Sequence, residues 1–110
     1  MKRSDAACGC GCGFDTVDYK LNEIHEYLCI KYGAKNVNIH CVCRCDKHNK
    51  KVGGSKGSMH KYARAMDFDV KGVDHDSIYE DLEFFYGSKC GPHLDKWGIH
   101  IDTRGYRARW

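Results

Sequence analysis

Two side chains of types that commonly bind metal ions, His60 and Asp67, lie seven positions apart in the stretch SMHKYARAMD. In a straight helix they would be about 10 Å apart along the axis, and in a straight strand about 23 Å apart. Zinc bonds to histidine nitrogen or carboxylate oxygen are only about 2.0 to 2.2 Å long. A shared ion therefore requires the chain to fold back between the two residues, and we expect that turn at 61–64.

A third ligand has to come from elsewhere in the chain, and the segment WGIHID supplies a candidate. His100 and Asp102 are two positions apart and project to one face of a strand, as do Asp67 and Asp69 in AMDFDV. If these two strands are neighbours, His100 approaches Asp67 and His60 can join them. Three such ligands with an open fourth position form the layout of a catalytic zinc site.

Apolar residues at helical spacing predict two main helices, over 16–32 and 77–86. The second should turn Phe85 inward together with its other apolar residues. Either Asp74 or Asp76 is available as its N-terminal cap.

Alternation of apolar and polar residues predicts strands over 37–43, 65–70 and 97–102. In the first of these, Cys41 should lie on the face opposite His40. A long active-site loop is expected over 45–57, where the composition changes to Lys, His, Asn, Gly and Ser. This order of elements predicts an α+β domain with a small antiparallel sheet and two main helices.

The chain has 110 residues, which suits a single domain over 1–110 with a Cys- and Gly-rich N-terminal segment at 1–13. The net charge of +3 is too small to predict nucleic-acid binding, and no apolar run approaches the 18 or so residues that span a membrane. No apolar stretch follows the basic start, so we expect no signal peptide and synthesis in the cytoplasm. We also expect a monomer.

The eight cysteines are unevenly distributed along the chain. Two CxCxC triplets and two single residues account for them: Cys8, Cys10, Cys12, Cys41, Cys43, Cys45, Cys29 and Cys90. Reduced thiols, one or two disulfides and a second, structural metal site all remain open. Spacings of two to four residues are usual in structural zinc sites, so CxC pairs fit them poorly.

The pattern SxHxxxxAxD, formed by Ser58, His60, Ala65 and Asp67 and followed by WGIHID, resembles the zinc D-Ala-D-Ala carboxypeptidases and related murein endopeptidases. Their superfamily also includes lysostaphin-type enzymes and the hedgehog signalling domain. The similarity is greatest to small phage and prophage members, which share the run CRCxxHNxxVGGxxxSxH and the ending HIDxRxxRARW. The CGCGFDTVD start at 10–18 extends the likeness over nearly the whole chain.

The resemblance implies a hedgehog/DD-peptidase-like fold with one catalytic zinc ion held by His60, Asp67 and His100. Arg44 would bind substrate and stabilise its carbonyl oxygen, and Ser58 would assist in substrate binding or set the turn. The implied substrate is a peptidoglycan peptide. The implied place of action is the bacterial cell wall, reached after lysis or as part of a phage particle.

The general base is where this sequence departs from the relatives it resembles. They often place a carboxylate three residues before the last histidine, or a histidine two before it, and here those positions hold Trp97 and Gly98. Asp95, Asp102 and His93 remain as candidates, and Asp102 could instead orient a histidine ligand.

Two other functions stay open at the level of sequence. The missing base is compatible with a non-catalytic wall-binding or structural module that keeps the zinc site. The cysteine triplets are compatible with a metal-storage or redox protein.

A further departure is Ala63, which stands where relatives usually carry glycine and would be strained by about 1 kcal/mol if its φ is positive.

Overall fold

A computed structural model describes residues 1–87, 90–95 and 97–106. The helices are α1 (Arg3–Ala6), α2 (Tyr19–Tyr32), α3 (Asp46–Lys51) and α4 (His75–Tyr86), with 3-10 turns at Ala34–Asn36 and Met59–Tyr62. The strands are β1 (Val37–Cys41), β2 (Ala65–Val70), β3 (His93–Leu94) and β4 (Ile99–Asp102). No helix in this part of the chain has the length and apolar character needed to cross a bilayer.

Within the described residues the strands form one antiparallel sheet in the order β1-β2-β4-β3. Its apolar face joins the buried sides of α2 and α4 in a single core. The core side chains of these elements are Met66, Phe68, Val70, Ile99, Ile101, Leu21, Ile24, Leu28, Ile78 and Leu82. Because neighbouring residues of a strand point to opposite faces, the polar residues of β2 and β4 all lie on the other side of the sheet. The predicted α+β class with two main helices is confirmed.

The second main helix shows which side chains face the core. The Asp74 carboxylate caps α4 by accepting a hydrogen bond from the backbone N–H of Ser77 (3.1 Å). Ile78 and Leu82 are buried, but Phe85 is 56% exposed, so its predicted inward position was wrong. The apolar stripe advances by four residues at each step, from Ile78 through Leu82 to Tyr86, which packs against the core in place of Phe85.

The segment 45–57 is more ordered than the long loop predicted there. It contains α3, and its remaining part is fastened by Asn49, whose side-chain amide donates to the carbonyl of Ser55 (2.8 Å). Gly54 lies so close to this amide that an added Cβ would approach Asn49 Oδ1 to 2.0 Å. The part of this segment after α3 is therefore tied to α3 through Asn49, although most of its residues are exposed.

A β-bulge in β1 overturns the expected faces of its side chains. The pairing of β1 with β2 shifts register between Ile39 and Cys41, so that Cys41 lies opposite Asp67. His40 also reaches the polar face, where its Nε2 lies 2.5 Å from Asp69 Oδ2. The extra residue of a bulge reverses the alternation after it. The prediction that Cys41 and His40 face opposite ways was wrong for this reason.

A tight turn through Gly98 sets the distance between β4 and β2. The turn is closed by the N–H of Asp95, which donates to the carbonyl of Gly98 (2.9 Å). An added Cβ at Gly98 would lie 2.3 Å from the backbone oxygen of Phe68. Only glycine fits here.

We predict that Gly98→Ala lowers the free energy of unfolding by about 1 to 3 kcal/mol, because β4 must move away from β2 to admit the methyl group. Thermal or urea unfolding measures this change. Gly57→Ala is the matched control, since an added Cβ there meets nothing within 4 Å. Equal stability of the two variants would contradict the close approach at Gly98.

Candidate metal centre

A short helical turn reverses the chain between His60 and Asp67, as a shared metal ion would require. The Ser58 hydroxyl begins it by accepting a hydrogen bond from the N–H of His60 (3.3 Å). The turn runs over Met59–Tyr62 and ends at Ala63, whose φ of 57° and ψ of 32° are left-handed. Alanine in this region costs about 1 kcal/mol. The expected turn is confirmed, and the φ of Ala63 is positive, which is the condition under which strain was expected.

One row of polar side chains crosses the sheet at the level of this turn. Asp67 lies directly opposite His100 in the β2–β4 pairing, and His93 lies opposite His100 on the other side. Cys41 extends the row on β1, next to Asp67. Directly opposed residues in antiparallel strands have Cβ atoms about 4.5 to 5.5 Å apart. The sheet therefore places groups of metal-ligand type within reach of one another.

The Asp67 carboxylate is approached from two sides by imidazole rings. His100 Nδ1 lies 2.7 Å from Asp67 Oδ1, and His60 Nε2 lies 3.1 Å from Asp67 Oδ2. The centres of the two rings are 5.3 Å apart. The two histidines proposed from sequence as zinc ligands thus both lie against the third, Asp67, one at each carboxylate oxygen.

The hydrogen bond of His60 leaves one of its nitrogens available to a metal ion. His60 Nδ1 lies 2.9 Å from the carbonyl oxygen of Val42, to which an Nδ1–H donates. This bond places the lone pair on Nε2. Nε2 is buried and makes no hydrogen bond among the described residues, although Asp67 Oδ2 lies 3.1 Å from it as an ion-pair contact. A buried nitrogen without a hydrogen bond is costly, and a metal ion at this point would satisfy it.

His100 is oriented by the same principle. Its Nε2 lies 3.0 Å from Asp102 Oδ2 and its Nδ1 lies 2.7 Å from Asp67 Oδ1, so a carboxylate faces each ring nitrogen. A nitrogen and a carboxylate oxygen 2.7 Å apart need a proton or a cation between them. Two imidazoles and a carboxylate are ligand types that zinc binds, so the residues present fit a zinc ion that would replace the proton.

The acid–base properties of this cluster follow from its burial and its charges. Burial would lower the pKa of His60, but the Asp67 carboxylate and the Cys41 thiol raise that pKa to about 9. The pKa of His100 is also raised, because Asp102 and Asp67 outweigh its burial. Burial would raise the pKa of Asp67, yet the two histidines hold it well below its usual range. Without metal the cluster retains protons, and metal binding at neutral pH must release them.

Asp102 is fully buried and both of its oxygens are engaged. Arg104 forms a two-pronged contact with it, Nε to Oδ1 at 2.7 Å and Nη2 to Oδ2 at 2.6 Å. Burial would raise the pKa of Asp102, but Arg104 and His100 lower it. The carboxylate therefore stays ionised, and its contact with Nε2 of His100 holds that imidazole ring in one orientation.

The other residues proposed from sequence line an open cleft of about 560 Å³ around the cluster. Arg44 lies on its wall and donates from Nη2 to the Ser58 hydroxyl (3.3 Å). Asp95, His93 and Trp97 line the cleft from the β3–β4 side. The cluster therefore lies in the same open cleft as these residues.

Sequence reasoning missed Cys41 as a possible ligand. Its sulfur lies 3.6 Å from His60 Nδ1, and ligand atoms of Cys41, His60 and Asp67 lie within 4.8 Å of one another. The bulge that turns Cys41 to this face leaves no mark in the apolar pattern. The only signal in the sequence was that Cys41, like His60 and Asp67, is of a residue type that binds metal ions.

Comparison with known proteins identifies a family for the chain. A family model described as Peptidase M15 matches residues 1–102. No curated protein and no solved structure matches the chain.

We predict that His60→Ala lowers the zinc content by one equivalent per chain, whereas Cys41→Ser retains it. The reason is that Cys41 lies beside Nδ1 of His60, the nitrogen bonded to Val42, while Nε2 faces Asp67. Elemental analysis of the dialysed proteins measures the difference. Loss of the ion in Cys41→Ser would instead make the thiol a ligand.

Proposed function

Since the chain belongs to the Peptidase M15 family, we propose that it is a zinc metallopeptidase that hydrolyses an amide bond in the peptides of bacterial peptidoglycan, next to a D-amino acid. It acts as a D-Ala-D-Ala carboxypeptidase or as a murein endopeptidase. The observation that carries the proposal is the buried Nε2 of His60, which makes no hydrogen bond and lies 3.1 Å from Asp67, beside His100 in an open cleft. The chain acts as a monomer at the cell wall, after lysis or as part of a phage particle.

His60, Asp67 and His100 would hold the ion, with the rings fixed from behind by Val42 and Asp102. Zinc bound in this way supplies a Lewis acid and lowers the pKa of a coordinated water to about 7. Three protein ligands leave one position for water or substrate. The protein contributes rigid orientation, because each histidine is held through the nitrogen that does not face Asp67.

Asp95 is the residue proposed to move the proton from water to the leaving amine. It lies at the turn before β4 and lines the cleft beside His100. Asp102 is less suited, because Arg104 and His100 occupy both of its oxygens. A carboxylate at the edge of the cleft can meet water and the leaving group, as a general base must.

Arg44 is proposed to bind the scissile carbonyl. Its side chain lines the cleft, held by the Ser58 hydroxyl, and its backbone N–H donates to the carbonyl of His60 (3.1 Å). A guanidinium fixed in this way stabilises the negative charge that develops on the carbonyl oxygen as the amide bond is attacked. Ser58 positions the arginine as well as the turn.

A non-catalytic, zinc-containing wall-binding module is the second candidate function. The observation that favours it is the absence of a base at Trp97 and Gly98, where the relatives it resembles often carry one. The two functions differ in whether Asp95 takes part in a reaction.

We predict that the zinc-loaded protein releases free amines from purified murein, and that His60→Ala and Asp67→Ala abolish this release together with one equivalent of bound zinc. Amine labelling combined with elemental analysis measures both. Cys29→Ser is a control, because Cys29 lies outside the cleft. A wild-type protein that carries its zinc and releases no amine contradicts the enzymatic function and favours the wall-binding module.

We predict that Asp95→Asn lowers kcat by about 10²- to 10⁴-fold, the usual contribution of a general base, while the zinc content is unchanged. The neutral amide keeps the shape of the side chain but cannot accept the proton. His93→Gln, a substitution on the same side of the cleft, tests the competing base. A normal kcat in Asp95→Asn with a large loss in His93→Gln would assign the role to His93.

A further inference from the structure

Four cysteine sulfurs meet at one point outside the catalytic cleft. Cys8, Cys10, Cys12 and Cys45 each offer a sulfur, and the four atoms lie within 4.8 Å of one another. Three of these residues form the first CxCxC triplet, and the fourth, Cys45, is the last cysteine of the second triplet. The remaining members of the second triplet point elsewhere, Cys41 to His60 and Cys43 to the carbonyl of Thr16.

The distances between these sulfurs match a shared metal ion. Cys8 Sγ and Cys10 Sγ are 3.5 Å apart, and Cys10 Sγ and Cys45 Sγ are 3.6 Å apart. In a tetrahedral zinc site with bonds of about 2.3 Å the sulfurs are about 3.8 Å apart. A disulfide would need about 2.05 Å. All eight cysteines lie within the described residues, and none is in a disulfide.

The N-terminal segment has the backbone needed to direct three closely spaced sulfurs to one point. Gly11 and Gly13 have φ values of 78° and 92°, in the region that glycine adopts without strain. The N–H of Gly11 donates to the carbonyl of Cys8 (3.1 Å), and the N–H of Cys8 donates to the carbonyl of Phe14 (2.8 Å). The segment is therefore a closed loop, and this explains how a CxCxC spacing that suits few zinc sites can supply three ligands.

Backbone N–H groups and lysine side chains surround the four sulfurs. The backbone N–H of Cys45 is directed at Cys8 Sγ (3.5 Å), and that of His48 at Cys45 Sγ (3.4 Å). Such N–H donors stabilise thiolate ligands. Lys47 and Lys51 line the same hollow as the exposed sulfurs. A divalent ion with four thiolates carries a net charge of −2, which the two ammonium groups offset.

We propose that Cys8, Cys10, Cys12 and Cys45 bind a structural zinc ion, separate from the metal site of the cleft. Four thiolates in tetrahedral arrangement select zinc among the common divalent ions and leave no open position for catalysis. The ion joins the N-terminal segment to Cys45, the neighbour of Arg44 in the chain. It therefore holds the cleft wall that carries Arg44.

The test uses the full chain, purified under reducing conditions, and counts zinc by elemental analysis. We expect two equivalents per chain in the wild type and in Cys29→Ser, and one equivalent in Cys10→Ser/Cys12→Ser. Both substituted cysteines are exposed, so the fold does not depend on their burial. A Cys10→Ser/Cys12→Ser protein that holds as much zinc as the wild type overturns the proposal, as does iron in place of zinc.

A spectroscopic measurement separates this site from the cleft. The double variant His60→Ala/Cys41→Ser lacks a cleft ligand and the thiol near it, and we expect it to bind one Co²⁺ with the sulfur-to-cobalt absorption of a tetrahedral thiolate site. Adding Cys10→Ser/Cys12→Ser to this background should abolish that absorption. Absence of the absorption in the double variant overturns the proposal, whereas unchanged zinc in His60→Ala alone overturns only the proposed cleft site.

Discussion

The alignment of β4 against β2 is the constraint on which the rest of the site depends. It sets Asp67 opposite His100, and a slip of one residue would carry His100 into the core and an isoleucine into the cleft. Two features fix the register. On the apolar face Phe68 lies opposite Ile99, and at the end of the strand the backbone of Phe68 passes too close to residue 98 for any side chain.

A buried group of charges is the energetic consequence of this alignment. Each of the two histidines lies within hydrogen-bond distance of a carboxylate, and the inner carboxylate, Asp102, is paired with Arg104. Removing such charges from water costs several kcal/mol per ion unless each is well paired. The alternation of donor and acceptor from Arg104 through Asp102 and His100 to Asp67 provides that pairing, and a divalent ion would take over the role of the protons at the two histidines.

The apolar pattern predicted the elements that pack on the core, because α2, α4, β2 and the central part of β4 each bury a regular stripe. It missed α1, α3 and the two-residue strand β3, which bury too few residues to leave a stripe. The turn at Ala63 was expected from the distance between His60 and Asp67. The bulge after Ile39 was not, since an extra residue in a strand is a property of the pairing. For the same reason the position of Cys41 and the meeting of four cysteines became visible only in three dimensions.

Anomalous diffraction at the zinc absorption edge, from crystals of the zinc-loaded protein, tests the central claim most directly. Our account predicts a peak within bonding distance of His60 Nε2, Asp67 and His100 Nδ1, with the side chain of Asp102 still bound to His100 Nε2. A peak bound through Cys41 and not through His100, or no peak in the cleft of a protein that carries zinc elsewhere, would contradict it.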